Sequence, residues 1–222
     1  MPQKALCDLG ITLYVIRHGE TDWNREGRLQ GQHDVPLNAQ GHKDAEKSGE
    51  KLYALLSERT DLPPVISANN DDNAHMMFIS PLLRTRQTTH IIRQNLWNIP
   101  THIINDADLQ ELTFGDWEGL TWREIVQRNP REAQARQQDK WGYVPPNGEN
   151  YAMLLIRVKE AMARLVHMLE QRRASCATIV AHGGVSRVLL AWLCGMQHQK
   201  AALTHIPQDR ILIIKNGAYH WH

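Results

Sequence analysis

Short apolar runs alternate with longer amphipathic segments along most of this chain. The apolar runs are rich in Val, Ile, Leu and Met, as is typical of strands buried on both faces of a sheet. The predicted strands, the last of them a short edge strand, are residues 13–17, 76–79, 101–104, 177–181, 211–214 and 218–222. Apolar positions recur at helical spacing between several of these runs, and predict helices at residues 39–57, 81–96, 151–173 and from 183 onward. This alternation predicts a mostly parallel sheet covered by helices on both faces.

The connections between these elements carry many turn-forming residues. Residues 24–41 are polar and rich in glycine, and predict an ordered loop that faces a ligand. Residues 61–74 contain many Asn and Asp residues and predict a long exposed connection. The segment 121–140 is helical in bias but broken at Pro130, which predicts a polar appendage over the ligand site. Pro81 is predicted to occupy the first turn of the helix that follows the second strand.

Composition and charge restrict the class of protein. The chain has 222 residues, 42% of them hydrophobic, which is enough for one α/β domain with its own core. Its 25 basic and 24 acidic residues nearly cancel, so no general electrostatic field favours nucleic acid or a membrane. The three cysteines lack a CxxC spacing and indicate reduced thiols. With no apolar run near ~18 residues and no leader-like start, we expect a cytoplasmic protein.

Two predicted strands are each followed by a histidine and a glycine. The first ends in Arg17-His18-Gly19, and the fourth ends in His182-Gly183-Gly184. Open α/β sheets bind ligands at the carboxyl ends of their strands, and glycine lets the backbone approach a ligand closely. One such tripeptide is also compatible with a surface Arg–His pair. Two of them, each at a strand end, favour a catalytic pocket.

Four segments in order carry a resemblance to a known family. They are residues 12–21, 78–88, 109–119 and 177–188, and together they resemble the histidine phosphatase superfamily, the phosphoglycerate-mutase-like proteins. The resemblance implies a three-layer α/β/α sandwich with a mostly parallel central sheet. It also implies a single domain over residues 1–222, with a helical insert at about 115–150, and no cofactor.

The resemblance assigns roles to particular residues. His18 matches the nucleophile that forms a phosphohistidine, and Arg17 and Arg84 match the paired arginines that hold the phosphate. His182 matches the second histidine, which donates hydrogen bonds to the transferring group. Glu111, which follows a predicted strand at Leu109, matches the acid/base glutamate. Glu118 is a competitor in the same motif and Asp116 a weaker one. Further positions that match phosphate-pocket residues are Asn24, Gln30, Gly31 and Gly183.

The residue types fit phosphate chemistry without a metal ion. The chain has no P-loop and no carboxylate cluster typical of magnesium, but a guanidinium group stays charged and binds phosphate in a bidentate manner. Neighbouring arginines are expected to keep His18 neutral near pH 7. The spacing of His220 and His222 is also compatible with a zinc site, but no Cys or carboxylate stands at ligand spacing, so no metal is predicted.

Departures from the mutase branch favour hydrolysis. Mutases of this family carry Arg directly after the acid glutamate and a more basic insert, whereas this chain has Leu112 there. We therefore expect a metal-independent phosphatase acting on a small phosphorylated metabolite. A phosphoglycerate mutase and a non-catalytic phospho-ligand-binding protein of the same fold remain alternatives. The substrate, the oligomeric state (a homodimer is one option) and the roles of residues 61–74 and the terminal histidines are left open.

Overall fold

The central element of the fold is a six-stranded mixed sheet. The computed structural model describes residue 6, residues 8–59 and residues 74–222. Its strands are β1 (Thr12–Arg17), β2 (His75–Ile79), β3 (Thr101–Asn105), β4 (Cys176–Ala181), β5 (Ile211–Lys215) and β6 (Ala218–Trp221). The strand order is β3-β2-β4-β1-β5-β6, in which β3, β2, β4 and β1 are parallel and β5 and β6 are antiparallel to their neighbours. The predicted mostly parallel sheet is confirmed.

The helices of the described residues lie between these strands. They are α1 (Asp22–Glu26), α2 (Ala39–Ser57), α3 (Leu83–Asn95), α4 (Trp122–Arg128), α5 (Pro130–Gln138), α6 (Tyr151–Arg172), α7 (Gly183–Leu193) and α8 (His198–Leu203). Side-chain caps fix two of the long helices, because Asn38 accepts a hydrogen bond from the Gly41 amide and Asn150 accepts one from the Met153 amide. Pro130 separates α4 from α5 as predicted.

The two faces of the sheet belong to two different hydrophobic clusters. In β1, Leu13 and Val15 pack into one cluster with α6 and α7. Tyr14 and Ile16 point the other way and pack with α2 and α3. Because side chains alternate between the faces of a strand, this division places helices on both sides of the sheet. The three-layer α/β/α sandwich is confirmed.

Three local expectations were wrong. Part of the predicted loop 24–41 is helical, because Thr21 and Asn24 form a capping box that starts the five-residue helix α1. Pro81 lies before α3 instead of in its first turn, since the extended residue Leu82 stands at the N-cap. Leu109 ends a 3₁₀ turn and not a strand, because the Asp106 carboxylate accepts a hydrogen bond from the Asp108 amide and turns the chain out of the sheet.

Two further sequence expectations concern regions beyond the sheet. The predicted connection 61–74 lies outside the described residues except for Ala74. Of the helices that the structure describes, none is both long and apolar enough to span a membrane.

Candidate active site

The register of the central strands brings the two histidines together. Strands β1 and β4 are parallel neighbours with Arg17 opposite Ala181, so the residues that follow them, His18 and His182, meet at the same edge of the sheet. Their ring centroids are 5.2 Å apart. Strand β2 ends at the same edge, where the Ser80 amide donates to the Val180 carbonyl at 3.1 Å. The pocket therefore lies where parallel strands of an open sheet commonly present their ligands.

The His18 ring is buried and held in one orientation. Its Nδ1 lies 2.8 Å from the carbonyl oxygen of Gly19. A carbonyl only accepts hydrogen bonds, so Nδ1 carries the proton and Nε2 keeps its lone pair. Burial lowers the pKa of His18 well below its usual value, and the charges of Arg84 and Arg17 lower it further. The expected neutral imidazole is thus favoured first by burial and only second by the arginines.

The His182 ring is held by a residue that the sequence analysis did not assign. Its Nε2 lies 2.8 Å from Oγ of Ser80, the residue directly after β2. When the Ser80 hydroxyl donates to Nε2, the ring proton is placed on Nδ1, which is buried and has no partner among the described residues. The position of Ser80 at a strand end was the signal that could have identified it.

The guanidinium groups of Arg17 and Arg84 are fixed by backbone carbonyls. Arg17 donates from Nη1 to the Ile206 carbonyl at 2.8 Å. Arg84 donates from Nη1 to the His33 carbonyl and from Nη2 to the Gly31 carbonyl, each at 2.7 Å. Burial is the largest cause that lowers the pKa of Arg17, to about 10, so the group stays protonated at neutral pH. Both side chains are therefore oriented cations before any ligand arrives.

Three buried N–H donors of this pocket have no partner among the residues that the structure describes. They are Nε of Arg17, Nε of Arg84 and Nδ1 of His182. Leaving a buried donor unsatisfied costs about 1–3 kcal/mol, and more for a charged group. An oxyanion with several oxygen acceptors would satisfy all three donors together. The arrangement is therefore suited to a phosphate group next to Nε2 of His18.

The Glu111 carboxylate lies at the start of α7, beside the histidines. Its Oε2 accepts from the Gly184 amide and its Oε1 from the Leu112 amide, both at 3.0 Å. A Cβ atom at position 184 would overlap this carboxylate, so a side chain there would displace Glu111 from its present position. Arg157 supports the same turn by donating to the Glu111 carbonyl at 2.9 Å. The negative charge of Glu111 acts on both Arg17 and Arg84, which places it near the two cations.

The competitor, Glu118, is occupied by structural contacts. Its Oε1 accepts from the Thr113 hydroxyl at 2.8 Å, from the Phe114 amide at 3.0 Å and from the Gln32 amide at 3.2 Å. Its Oε2 contacts Nδ1 of His33. Asp116 is exposed and accepts from the Asn147 side chain at 3.1 Å. Neither carboxylate lies at the start of α7 beside the histidines, as that of Glu111 does.

The other predicted pocket residues have supporting contacts. Asn24 Oδ1 accepts from Gln208 Nε2 at 3.2 Å, and the same Nε2 donates to the His18 carbonyl at 3.0 Å. Gln30 is buried, and its Oε1 accepts from the Thr21 hydroxyl at 3.0 Å. The structure thus ties Asn24 to the backbone of His18, and Gln30 to the loop before α1.

The two predicted glycines serve different purposes. Gly31 has a φ of 52°, and a Cβ atom there would overlap the carboxylate of Glu118. Its carbonyl, which holds Arg84, depends on this close approach. Gly183 begins α7, and a Cβ atom there would lie 3.8 Å from Nε of Arg17. Gly183 therefore borders the donor that lacks a partner.

The terminal histidines lie away from this pocket. His220 is on β6, opposite Ile213 on β5, and both His220 and His222 are exposed. Within the described parts of the chain, no group of three or more His, Cys, Asp or Glu side chains is arranged to hold a metal ion.

The fold and pocket define an α/β protein that handles phosphate groups. The chain belongs to the histidine phosphatase superfamily (branch 1), whose profile matches residues 13–222. It is 30% identical over 199 residues to sedoheptulose 1,7-bisphosphatase of Saccharomyces cerevisiae, covering 86% of this chain and 70% of the relative. It is 33% identical over 189 residues to a probable phosphoglycerate mutase GpmB of Citrobacter koseri, covering 84% of this chain and 76% of the relative.

A solved structure supports the same assignment. The crystal structure of a putative alpha-ribazole-5'-P phosphatase from Escherichia coli K-12 superposes with a TM-score of 0.74 at 26% identity. The match covers 96% of this chain and 95% of that one. The chain is a phosphoric monoester hydrolase of the histidine phosphatase type.

Proposed function

We propose that this protein hydrolyses a small phosphorylated metabolite in the cytoplasm, without a metal ion, through a phosphohistidine at His18. One observation carries the proposal. Three buried N–H donors without partners among the described residues, on Arg17, Arg84 and His182, lie with the uncharged His18 ring at one edge of the sheet. A phosphoryl group requires such a set of donors while it is being transferred, because its oxygens carry negative charge.

The first step transfers the phosphoryl group to the enzyme. Nε2 of His18 attacks phosphorus with its lone pair, and the bond between phosphorus and the ester oxygen breaks. The departing alkoxide takes a proton from Glu111, so the alcohol leaves neutral. The proton on Nδ1 stays on the ring, where the Gly19 carbonyl stabilises the positive charge that develops on the imidazole.

The second step releases phosphate. Water attacks phosphorus, Glu111 accepts its proton, and the bond between phosphorus and Nε2 breaks. The electron pair returns to the ring, and inorganic phosphate leaves. The same carboxylate thus acts as acid in the first step and as base in the second, which restores the starting state.

The proposed independence from metal ions rests on how the protein stabilises the negative charge of the phosphoryl group. The phosphoryl oxygens carry negative charge throughout the transfer. Two guanidinium groups and the Nδ1–H of His182 offer donors that are already oriented by the protein. Preorganised donors of this kind stabilise the transition state because they need not reorient during the reaction.

Contacts of the carboxylates favour Glu111 over Glu118 as the acid. Glu111 is held by two backbone amides beside the pocket. Glu118 accepts three hydrogen bonds and also pairs with His33, and its contacts with Gln32 and His33 fix the loop that supports Arg84. A carboxylate that holds a loop in this way is poorly placed to exchange protons with a substrate.

Turnover and trapping experiments test the proposal. The purified protein is expected to hydrolyse 4-nitrophenyl phosphate at the same rate with and without excess EDTA. Rapid quench and mass spectrometry under non-acidic conditions are expected to find the phosphoryl group on His18. His18→Ala should lose both the adduct and turnover, whereas His90→Ala, which changes an exposed histidine of α3, should keep both.

Three outcomes would overturn particular parts of it. Chelator-sensitive activity restored by a divalent ion would refute metal independence. A phosphorylated Ser, Cys or Asp would refute the role of His18. Interconversion of 2- and 3-phosphoglycerate that is faster than phosphate release would make the protein a mutase, despite Leu112.

A further inference from the structure

The proposed acid, Glu111, lies in a segment without regular secondary structure. Residues 111–114 follow the 3₁₀ turn Ala107–Leu109 and belong to neither a helix nor a strand. Their backbone is therefore not fixed by the hydrogen bonds of a helix or of the sheet. A general acid must lie within about 2.6–3.2 Å of the atom that it protonates, so other contacts must hold this segment in place.

Arg157 on α6 binds the carbonyl groups of this segment. Its Nη1 donates to the carbonyls of Asp108 at 2.9 Å and Gln110 at 2.7 Å, and its Nη2 donates to the Glu111 carbonyl at 2.9 Å. One guanidinium thus joins three carbonyls within a short stretch of chain. Because this fork of donors is planar and rigid, the contacts fix the backbone that leads into Glu111.

Glu149 holds both Arg157 and the backbone after the acid. Its Oε2 accepts from Nη2 of Arg157 at 2.9 Å and its Oε1 accepts from Nε at 3.2 Å, so the pair is bidentate. Oε2 also accepts from the Thr113 amide at 3.1 Å, and the Glu149 amide donates to the Thr113 carbonyl at 2.8 Å. The chain is therefore held on both sides of Glu111, by Arg157 before it and by Glu149 after it.

The contacts of Arg157 are complete and largely sheltered from solvent. Its hydrogen bonds to three carbonyls and to Glu149 use every N–H donor of the guanidinium. The side chains of Arg157 and Glu149 are only 17% and 19% exposed. A bidentate pair with this little exposure has a more fixed geometry than a single ion pair on the surface. Burial is the main cause that lowers the pKa of His182, and the charge of Arg157 contributes, which places Arg157 near the pocket.

A second arginine of α6 binds the same part of the chain in a different way. Arg164 lies about two helical turns after Arg157 and donates from Nε and Nη2 to the Asp106 carboxylate, each at 2.8 Å. It binds carboxylates in and before the 3₁₀ turn, and its own side chain is 49% exposed. Arg157 binds the backbone at the acid itself. The two arginines therefore allow support of the fold to be separated from placement of Glu111.

We propose that Arg157 and Glu149 are positioning residues for the acid: together they set where the Glu111 carboxyl stands relative to the leaving oxygen, and neither takes part in the chemistry. The inference rests on the proposed function, because it takes Glu111 as the group that protonates the leaving alcohol. A misplacement of about 1 Å can cost about 10²-fold in rate. Loss of the pair should therefore slow the step that needs a well-placed proton.

Leaving groups that differ in their need for a proton test the inference. With enzyme in excess, release of propanol from propyl phosphate and of 4-nitrophenol from 4-nitrophenyl phosphate measures phosphoryl transfer to His18 in a single turnover. Arg157→Met should slow transfer from propyl phosphate by about 10–10²-fold but hardly change transfer from 4-nitrophenyl phosphate. Arg157→Lys keeps the charge but not the planar fork, so it should recover only part of the loss.

Two controls separate positioning from support of the fold. Arg164→Met removes an arginine of the same helix that binds the same part of the chain, and it should leave the ratio of the two rates unchanged. Adding Arg157→Met to Glu111→Gln should cause no further slowing with propyl phosphate, because the loss acts through Glu111.

A second variant keeps the test decisive if Arg157→Met does not fold. Glu149→Gln retains an oxygen acceptor but loses the charge that holds Arg157, and it should show the same selective slowing, by at least several-fold. In Arg157→Met where it folds, and otherwise in Glu149→Gln, equal slowing with both substrates or an unchanged ratio of the two rates would overturn the inference.

Failure of the proposed function gives a different result. In that case Glu111→Gln itself would lack the selective slowing with propyl phosphate. If Glu111→Gln shows it and the variants of Arg157 and Glu149 do not, only the positioning role is refuted.

Discussion

The buried histidine His75 makes the stability of this protein depend on pH in a way that can be isolated. It begins β2, with 5% of its surface exposed, and its Nε2 lies 2.8 Å from the Thr178 hydroxyl. Burial is the main cause that lowers its pKa to about 4, and the charge of Arg59 contributes. Replacing His75 with Gln keeps a polar group beside Thr178 but removes the titration.

The size of the effect follows from the difference in pKa between the two states. In the unfolded chain a histidine titrates near pH 6.5, so between about pH 6.5 and 4 the unfolded state binds the proton more strongly. The free energy of unfolding therefore falls as the pH falls through this window. The full difference corresponds to about 3 kcal/mol, of which about 2 kcal/mol is lost by about pH 5.

Urea unfolding at about pH 7.5 and about pH 5 measures this loss. The wild type should lose about 2 kcal/mol more than His75→Gln, because His18, His182 and the carboxylates titrate in both proteins and cancel in the comparison. His102→Gln is the control, since His102 on the neighbouring strand β3 is only partly buried. If the wild type and His75→Gln lose the same stability on acidification, His75 is not the buried neutral group described here.

Three further predictions concern the pocket. Glu111→Gln should slow the first step, phosphoryl transfer to His18, by about 10²–10⁴-fold with alkyl phosphates but hardly at all with an aryl phosphate, whose leaving group needs no proton; alcohol release in the first turnover measures this step, and if Glu118→Gln shows this dependence in its place, Glu118 is the acid. Arg84→Ala should reduce kcat/KM for both substrates alike, by ~10²–10³-fold, because it removes transition-state charge stabilisation. A selective loss with alkyl esters would argue against that role. Ser80→Ala should lower kcat about tenfold, because the ring proton of His182 is then no longer held on Nδ1, and Ser80→Thr should restore kcat. An unchanged kcat in Ser80→Ala would show that Ser80 does not set the tautomer of His182.

The strand ends were predictable from sequence because the relevant signals are local. The apolar run before Arg17 and the run before His182 each identify a buried strand and the polar residues that leave it. Once the sheet is parallel, those ends must meet at one edge, as the pairing of β1 with β4 shows. Local patterns were misleading where a single hydrogen bond decides the structure, as at Leu109, which ends a turn set by Asp106.

The supports of the pocket were not predictable, because they join residues far apart in the chain. Arg84 is held by the carbonyls of Gly31 and His33, which precede it by 53 and 51 residues. Backbone carbonyls leave no trace in a sequence. The burial of Arg136 was missed for a similar reason: on sequence alone it resembles any polar helix residue, and only its packing over Phe114 and Trp117 shows that it is buried.

The hydrogen bonds of Glu118 show which segments of this enzyme can change in sequence without altering the phosphate pocket and which cannot. This carboxylate binds the Gln32 amide and His33, and the His33 carbonyl in turn holds Arg84. Residues 113–118 are therefore part of the support for the phosphate pocket, whereas α4 and α5 follow this support in the chain. We therefore expect an exchange of only those helices between relatives to leave this support intact. An exchange that began at residue 113 would alter the pocket in which the chemistry takes place.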